Sequence, residues 1–501
     1  MELVKRAQGF EERTAVVSGG ESYSYGRLLE DSARVATTLL NGAKDLQEAR
    51  IAFLVPPSYD YVRCQWGIWR AGGVAVPLCT AHPLPVLRYV LEDTRAEVLI
   101  LHPDYTELLS GTAAELNIRL LELADLDGAA SPASLPSVAP VRQVQGPPAR
   151  RAQILYTSGT TSLPKGVVTT HANIEFQIKT LVDAWEWDAD DRILNILPLH
   201  HVHGIINVLS CALWSGARCE FLPRFDAHTV WEKLANGSLT RFMAVPTIYY
   251  KLIAHWEKLG ESDQTRLSAG ARNLNLMVSG SAALPVPTLE RWRELTGHTL
   301  LERYGMTEIG MGLSNSFRGE RRPGHVGLPL PDVEMRLADG EGKTIHLEHV
   351  PGEIQIKGPG VFLEYWQNPE ATAASFTEDG WFKTGDVAEK NDGLYRILGR
   401  DSVDIIKSGG YKISALEIEA VLLRHPAVDQ CAVVGIPDPE WGEVVSAAVV
   451  SPEEHPDFRA ISAWLKEQIP AYRLPRRWLQ LDRLPANTIG KVTKNELKKL
   501  F

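Results

Sequence analysis

Long apolar runs are missing from this chain of 501 residues. No stretch approaches the roughly 20 consecutive apolar residues that a membrane-spanning helix needs, so a helical membrane protein is excluded. Cysteine is scarce. The five residues, at positions 64, 79, 211, 219 and 431, fit no metal or disulfide spacing, which points to a reducing compartment. Positive charge is in deficit: 52 Lys and Arg stand against 62 Asp and Glu, a formal charge of −10. Nucleic acid is therefore not an expected partner. An anionic substrate would need positive charge placed locally, because the overall field repels it. The first residues, Met1-Glu-Leu-Val-Lys-Arg-Ala7, show neither an apolar signal core nor an Arg/Ser-rich amphipathic stretch. On that ground no targeting peptide is expected, and the cytoplasm is the expected location. Internal repeats and low-complexity tracts are also lacking. What remains is ordinary for a globular protein, 44% hydrophobic and 23% charged, and long enough for more than one domain.

The apolar pattern alternates between helix and strand. Residues 24–42 read as an amphipathic helix capped by Ser24, with Leu28, Leu29, Val35, Ala36, Leu39 and Leu40 as its stripe. Residues 50–55, 73–77 and 97–101 read as fully apolar strands with helical spacers, the signature of a parallel sheet covered on both faces. Residues 128–150, rich in Ala, Ser and Pro, read as a surface connection. A second unit is expected after residue 399. Residues 394–398 look like a last strand, and Gly399-Arg-Asp-Ser402 breaks the pattern. Ser414-Ala-Leu-Glu417 then reads as a capping box opening a helix. Residues 429–435 and 444–450 read as strands, and 457–468 as another helix. The fold class is thus α/β: a large multi-sheet domain over 1–399 and a small α/β domain over 400–501.

Chemistry concentrates in Tyr156-Thr-Ser-Gly-Thr-Thr-Ser-Leu-Pro-Lys-Gly166, which holds six hydroxyl side chains, two glycines and a lysine. Apolar, strand-like runs flank it. Hydroxyls and backbone N–H groups offer donors, glycine permits close approach, and Lys165 adds charge, a set suited to a polyphosphate. It is not the nucleotide loop that ends in Gly-Lys-Ser/Thr, because Pro164 precedes Lys165 and Gly166 follows it. Five further segments follow: Pro198-Leu-His-His-Val-His-Gly204, Val278-Ser-Gly-Ser-Ala-Ala283, Glu302-Arg-Tyr-Gly-Met-Thr-Glu308, Thr384-Gly-Asp386 with Gly399-Arg400, and Asn487-Thr-Ile-Gly-Lys491.

In this order the six segments resemble the adenylate-forming superfamily of acyl-CoA synthetases, adenylation domains and luciferases. One departure is Ser162, where most relatives have glycine. The resemblance implies a large adenylation domain and a mobile lid that rotates between two half-reactions. It implies ATP and CoA as co-substrates and Mg²⁺ as cofactor. For the nucleotide it implies Thr157, Ser158, Gly159, Thr160, Thr161 and Lys165 around phosphate. Tyr304 would pack on adenine, Gly280, Ser281, Ala282, Glu302 and Gly305 would also bind ATP, and Asp386 with Arg400 would hold the ribose. Thr307 would bond the α-phosphate, Glu308 would hold the metal, and Lys491 would bridge carboxylate and α-phosphate during adenylation. His201 would stand between acyl pocket and thiol channel, with His203 and Met306 lining the acyl site. Gly409, Gly410 and Tyr411 would meet the pantetheine arm of CoA. One extra residue lies between Arg400 and Gly410, so Ser402, Val403 and Asp404 all stand as hinge candidates. Lys494, Lys498 and Lys499 are expected to be solvated.

The three histidines could suggest zinc, but no carboxylate or cysteine ligand sits at a compatible spacing. Arg303 is the sharper clue, because many relatives place a small residue there. A buried arginine needs an anion. A second carboxylate on the substrate would supply one, as would an internal partner such as Glu302 or Glu308. With Gly319-Glu-Arg-Arg-Pro-Gly324 following, this region resembles the malonyl-CoA synthetases; Arg321 and Arg322 read as assistants or as surface residues. The expected activity is ATP-dependent ligation of malonate, with methylmalonate a further candidate, to CoA. Alternatives are a ligase for an aryl or medium-chain acid, an adenylation enzyme that loads a carrier protein, and a non-catalytic nucleotide binder. The expected assembly is a monomer or homodimer acting on small molecules.

Overall fold

The computed structural model describes residues 1–127, 150–157, 164–222, 224–401, 403–408, 411–486 and 491–501. Most of the segment expected as a surface connection, 128–149, lies outside the described residues.

Two sheets form the centre of the large domain. The first runs, in spatial order, through Glu364–Tyr365, Lys165–Thr170, Arg151–Thr157, Val74–Pro77, Arg50–Leu54, Val98–Leu101 and Arg119–Glu122. Its inner strands are parallel, as their continuous apolar sequences demand. The second has nine strands, with Leu301–Met306, Leu276–Ser279, Arg241–Ala244 and Arg192–Asn195 adjacent at its middle.

The principal core cluster draws on both sheets and on the helices beside them. Helix Tyr25–Leu40 starts where Ser24 accepts a hydrogen bond from Arg27 N–H, and buries Leu28, Val35, Ala36 and Leu39. It packs on helix Tyr59–Arg70 so closely that a Cβ at Gly67 would lie 2.3 Å from Val35 Cγ1. A second cluster, behind the nine-stranded sheet, holds Trp231 stacked on Trp292 at 5.2 Å. Burying a side chain of this size contributes roughly 2–3 kcal/mol. All five cysteines are buried.

A third, antiparallel sheet ends with Phe382–Asn391 paired to Leu394–Arg400. The chain then enters the small domain. Ile405–Ser408, Tyr411–Ser414, Gln430–Asp438, Gly442–Val450 and Arg477–Gln480 make its sheet. Ser414 caps helix Ala415–Leu422 by accepting from Glu417 N–H. The expected box is only half built, because the Glu417 carboxylate turns to Arg396 at 2.7 Å and Arg473 at 3.0 Å. Helix Phe458–Lys466 follows its cap Asp457. Among the described residues no helix is long and apolar enough to cross a membrane.

Candidate active site

Strand Leu301–Met306 positions most of the site. It lies parallel to Leu276–Ser279 and antiparallel to Gly310–Ser314. Gly305 is required where these strands cross, since a Cβ there would stand 2.1 Å from the Gly310 carbonyl oxygen. This close approach leads Tyr304 and Glu308 to one wall.

On that wall Tyr304 donates its phenol to Asp386 Oδ2 at 2.7 Å. Arg400 Nε donates to Asp386 Oδ1 at 2.9 Å. Asp386 and Arg400 face each other in strand register, beyond Gly385 at φ +73°. Positive φ suits glycine and turns the chain so that the carboxylate projects at the strand end. Asp386, Arg400 and Tyr304 are thus one hydrogen-bonded group.

Glu308 is buried and accepts a bond from the Tyr365 phenol at 2.9 Å. Burial pushes its pKa up, while the Tyr365 bond and the Arg400 charge pull against that shift. Lys165 Nζ sits 5.0 Å over the Tyr365 ring, a cation–π contact. Tyr365 therefore joins the lysine at the end of the phosphate loop to the carboxylate of the Tyr-Gly-Met-Thr-Glu segment. No motif marked it in sequence. Thr157 pairs with Lys165 across the loop's base. Ser158, Gly159, Thr160, Thr161 and Ser162 lie outside the described residues. A divalent cation fits Glu308: the carboxylate is buried, has its ionised form penalised, and is a hard oxygen donor. The group of three potential metal ligands among the described residues, Glu348, His349 and Asp392, is exposed and unrelated to this wall. Glu302, expected near the nucleotide, accepts from Gly324 N–H through Oε1 at 2.8 Å and anchors that loop. Burial pushes its carboxyl up to about 8.

Arg303 points to the other side of the strand. It is buried, and its guanidinium lies across the Gly280 backbone, where a Cβ would stand 2.4 Å from Cζ. Its contact is a long one, 3.4 Å from NH2 to Ser281 Oγ, and Nε has no partner. Among the described residues no carboxylate pairs with it. Glu302 is committed to Gly324 and Glu308 to Tyr365, so the internal ion pair considered from sequence does not form. Burial lowers the Arg303 pKa to about 10, which leaves it charged at neutral pH. Ser281, at φ +69°, is exposed and stands 3.2 Å from His203 Nδ1. His203 Nε2 is buried without a partner. Burial and the Arg303 charge hold His203 well below its ordinary pKa, so it is neutral. One cation and one neutral imidazole, both with unused hydrogen-bonding capacity, thus converge on an accessible hydroxyl. Ala282 is exposed beside them. Met306 packs against the apolar cluster around Ile309 and Phe382.

His203 begins a π-helix, His203–Ser210, a rare wide turn that recurs at functional sites. His200 and His201 lie side by side, ring centroids 4.2 Å apart, with His82 6.0 Å from His200. Burial lowers His201 to about 4. The three histidines of the motif do not converge on one point, since His203 turns to Ser281.

On the small domain Tyr411 is exposed and stacks on Tyr472 at 4.4 Å. Gly409, Gly410 and the hinge candidate Ser402 lie outside the described residues. Val403 and Asp404 form a turn on the Arg400 carbonyl. Lys491 is exposed, next to the bridge between Ala486 and Val492. Lys494 departs from expectation: it is buried, 2.6 Å from Asp404 Oδ1 and 2.7 Å from Glu419 Oε1. Arg321 is tied to the carbonyls of Thr299, Ser316 and Phe317, and Arg322 to that of Asn391, so neither reaches Arg303.

The profile of the AMP-binding enzyme family matches residues 3–366, and that of the AMP-binding enzyme C-terminal domain matches 417–491. The chain belongs to the AMP-binding enzyme family. It is similar to the mitochondrial malonate–CoA ligase of Xenopus laevis, 43% identical over 99% of this chain and 91% of that protein. Among solved structures it is similar to ATP-bound MatB from Rhodopseudomonas palustris, 32% identical with TM-score 0.90 over 99% and 98% of the two chains. A malonyl-CoA ligase product complex with methylmalonyl-CoA and AMP is 34% identical, with TM-score 0.69 over 95% and 97%. These neighbours share the large N-terminal and small C-terminal domain plan. One expectation is overturned. The frog relative, like those from mouse, cattle and human, is named mitochondrial, which contradicts the cytoplasmic location read from the first residues.

Proposed function

We propose that this chain is an ATP-dependent acid–thiol ligase that joins malonate to CoA, with AMP and pyrophosphate as the other products. The observation that carries the acid is Arg303, a buried cation with no carboxylate partner among the described residues, facing the Ser281 hydroxyl and the unpaired His203 Nε2. A dicarboxylate would place its distal carboxylate on Arg303, with the bidentate geometry a guanidinium favours. Methylmalonate carries the same two carboxylates.

The proximal carboxylate oxygen attacks the α-phosphorus of ATP. An O–P bond forms, and the bond to pyrophosphate breaks. CoA sulfur then attacks the acyl carbon: a C–S bond forms, the C–O bond to AMP breaks, and the thiol proton passes to solvent. In this reading Asp386 and Arg400 hold the ribose, Tyr304 braces Asp386, and Thr307 bonds the α-phosphate. Thr157 and Lys165 frame the phosphates. Glu308 would hold Mg²⁺, which would neutralise phosphate charge when bound. Lys491 would bridge carboxylate and α-phosphate, and Tyr411 would meet CoA after the small domain, residues 400–501, rotates on 1–399. Stabilisation of developing charge by fixed donors accounts for most of the expected acceleration.

The test is CoA-dependent AMP release with malonate, methylmalonate, acetate, octanoate and 4-coumarate. Strong preference for the dicarboxylates is expected. Preference for a monocarboxylate would refute the malonate reading.

A further inference from the structure

The C-terminal helix Lys494–Lys498 begins with a lysine, the wrong charge for a helix N-terminus. Two carboxylates compensate it. Asp404 Oδ1 lies 2.6 Å from Lys494 Nζ, and Glu419 Oε1 lies 2.7 Å from it. All three groups are largely buried, and their partners come from three separate segments: the turn after Arg400, helix Ala415–Leu422, and the C-terminal helix. The two residues that hold Lys494 in place are also committed elsewhere. Glu419 Oε1 accepts Val433 N–H at 2.7 Å. Asp404 Oδ2 accepts Arg400 N–H at 3.0 Å, and Asp404 N–H donates to the Arg400 carbonyl at 2.7 Å. Arg400 is the residue that grips Asp386.

Asp404 therefore uses one oxygen toward each side. Oδ2 holds the strand that carries Arg400, and Oδ1 holds the helix that starts three residues after Lys491. Thr493 N–H bonds the Pro485 carbonyl at 2.8 Å, and Leu497 is buried against Ala432 and Val434, so the Lys491 segment is fastened to the same body as Lys494. The positive charge of Lys491 contributes to the lowered pKa of Asp404, which places that lysine within electrostatic reach of the turn.

We propose that Lys494 is a positioning residue for the adenylation step: through Asp404 it ties the segment bearing Lys491 to Arg400, so that Lys491 is aimed at the nucleotide wall. The proposal rests on the ligase reading above. It predicts a split between half-reactions. Adenylation needs Lys491 at the nucleotide, whereas attack of CoA on a preformed adenylate does not. The chain of contacts is specific to the arrangement in which Asp404 touches Arg400. A second link across the same boundary, Arg396 to Glu417 at 2.7 Å, does not involve Lys494.

The experiment compares wild type, Lys494→Met and Lys494→Arg in two single-turnover assays. One measures malonate-dependent pyrophosphate release from ATP without CoA. The other supplies synthetic malonyl adenylate with CoA and measures thioester. Lys494→Met is expected to slow adenylation about 10- to 100-fold, the cost of a misplaced catalytic group, and to leave thioester formation within about threefold. Lys494→Arg, which keeps the charge, is expected to recover most of the adenylation rate. Because Lys494→Met leaves Asp404 and Glu419 buried without their cation, Glu419→Gln is run beside it; this variant removes one of the two charges that hold Lys494 at constant volume and should show a weaker form of the same split. Equal loss in both half-reactions, as from a merely structural defect, overturns the proposal, and so does unchanged adenylation, which would leave Arg396 and Glu417 as the sufficient link. The ligase reading stands or falls on wild type in the same assays, the clamp on the ratio of the two rates between variant and wild type.

Discussion

Replacing Arg303 by methionine removes a buried cation that no carboxylate among the described residues pairs. The side chain keeps roughly its length, so the pocket beside Gly280 stays filled. What disappears is a cation that has a long contact to Ser281 Oγ and no carboxylate partner among the described residues. A substrate carboxylate seated there would make one or two charge-assisted hydrogen bonds in a water-poor site. Truncating one member of such a pair costs about 2–5 kcal/mol. At 1.36 kcal/mol per decade, kcat/KM for malonate should fall about 30-fold to several thousand-fold. The fold should not suffer, because no internal partner is left unpaired, so the thermal midpoint is expected to hold or rise. The assay is steady-state AMP release with malonate and with butanoate, an acid that ends in a methyl group, together with a melting curve. Malonate turnover should collapse while butanoate turnover holds or improves, since an apolar chain no longer buries an unpaired cation. Equal loss with both acids and a lowered midpoint would refute the reasoning and give Arg303 a structural role.

Gly280→Ala should act on the same pocket from behind. Its Cβ would stand 2.4 Å from Arg303 Cζ, so malonate KM should rise about tenfold with little change for butanoate, measured in the same assay. Tyr365→Phe removes the hydrogen bond to Glu308 and keeps the ring under Lys165. A loss of about 1 kcal/mol, several-fold in adenylation rate, is expected, together with an altered Mg²⁺ dependence. Glu302 is raised in the fold to about 8 from an ordinary 4.5. The native state therefore binds more protons than the unfolded state between those values, and this group lowers stability as pH rises through them. Glu302→Gln should flatten that slope, read as the difference in urea midpoints between pH 5.5 and 7.5 for variant and wild type; parallel slopes would refute it.

The elements that sequence revealed best are those whose signal is local. Ser24 and Ser414 announce their helices because a cap and its N–H lie three residues apart. The parallel strands follow from uninterrupted apolar runs. The wall that joins Tyr304, Asp386, Arg400 and Glu308 was legible in part because Tyr304 and Glu308 share one short segment. What escaped depends on partners far along the chain. Lys494 looked like one of several terminal lysines, and its carboxylates lie 90 and 75 residues earlier. Tyr365 stands in no motif, 57 residues from Glu308. Glu302 shares its motif with Tyr304 and Glu308, yet its carboxylate is taken up by Gly324 N–H, a partner 22 residues further along. The π-helix at His203 is a matter of one extra residue per turn, which apolar periodicity over eight residues does not resolve.

The contact between Arg303 and Gly280 also constrains how such a pocket could arise. A side chain at 280 would displace the guanidinium, the flexible end of Arg303, from its place over that backbone. Glycine at 280 therefore eases the arrival of arginine at 303. The reverse path is easier: once the arginine is lost, position 280 is free to refill the space with a hydrophobic group. Acceptance of dicarboxylates in this fold is a trait simple to lose and slow to regain, and lineages that drift to monocarboxylates should show a larger residue at 280 as the scar.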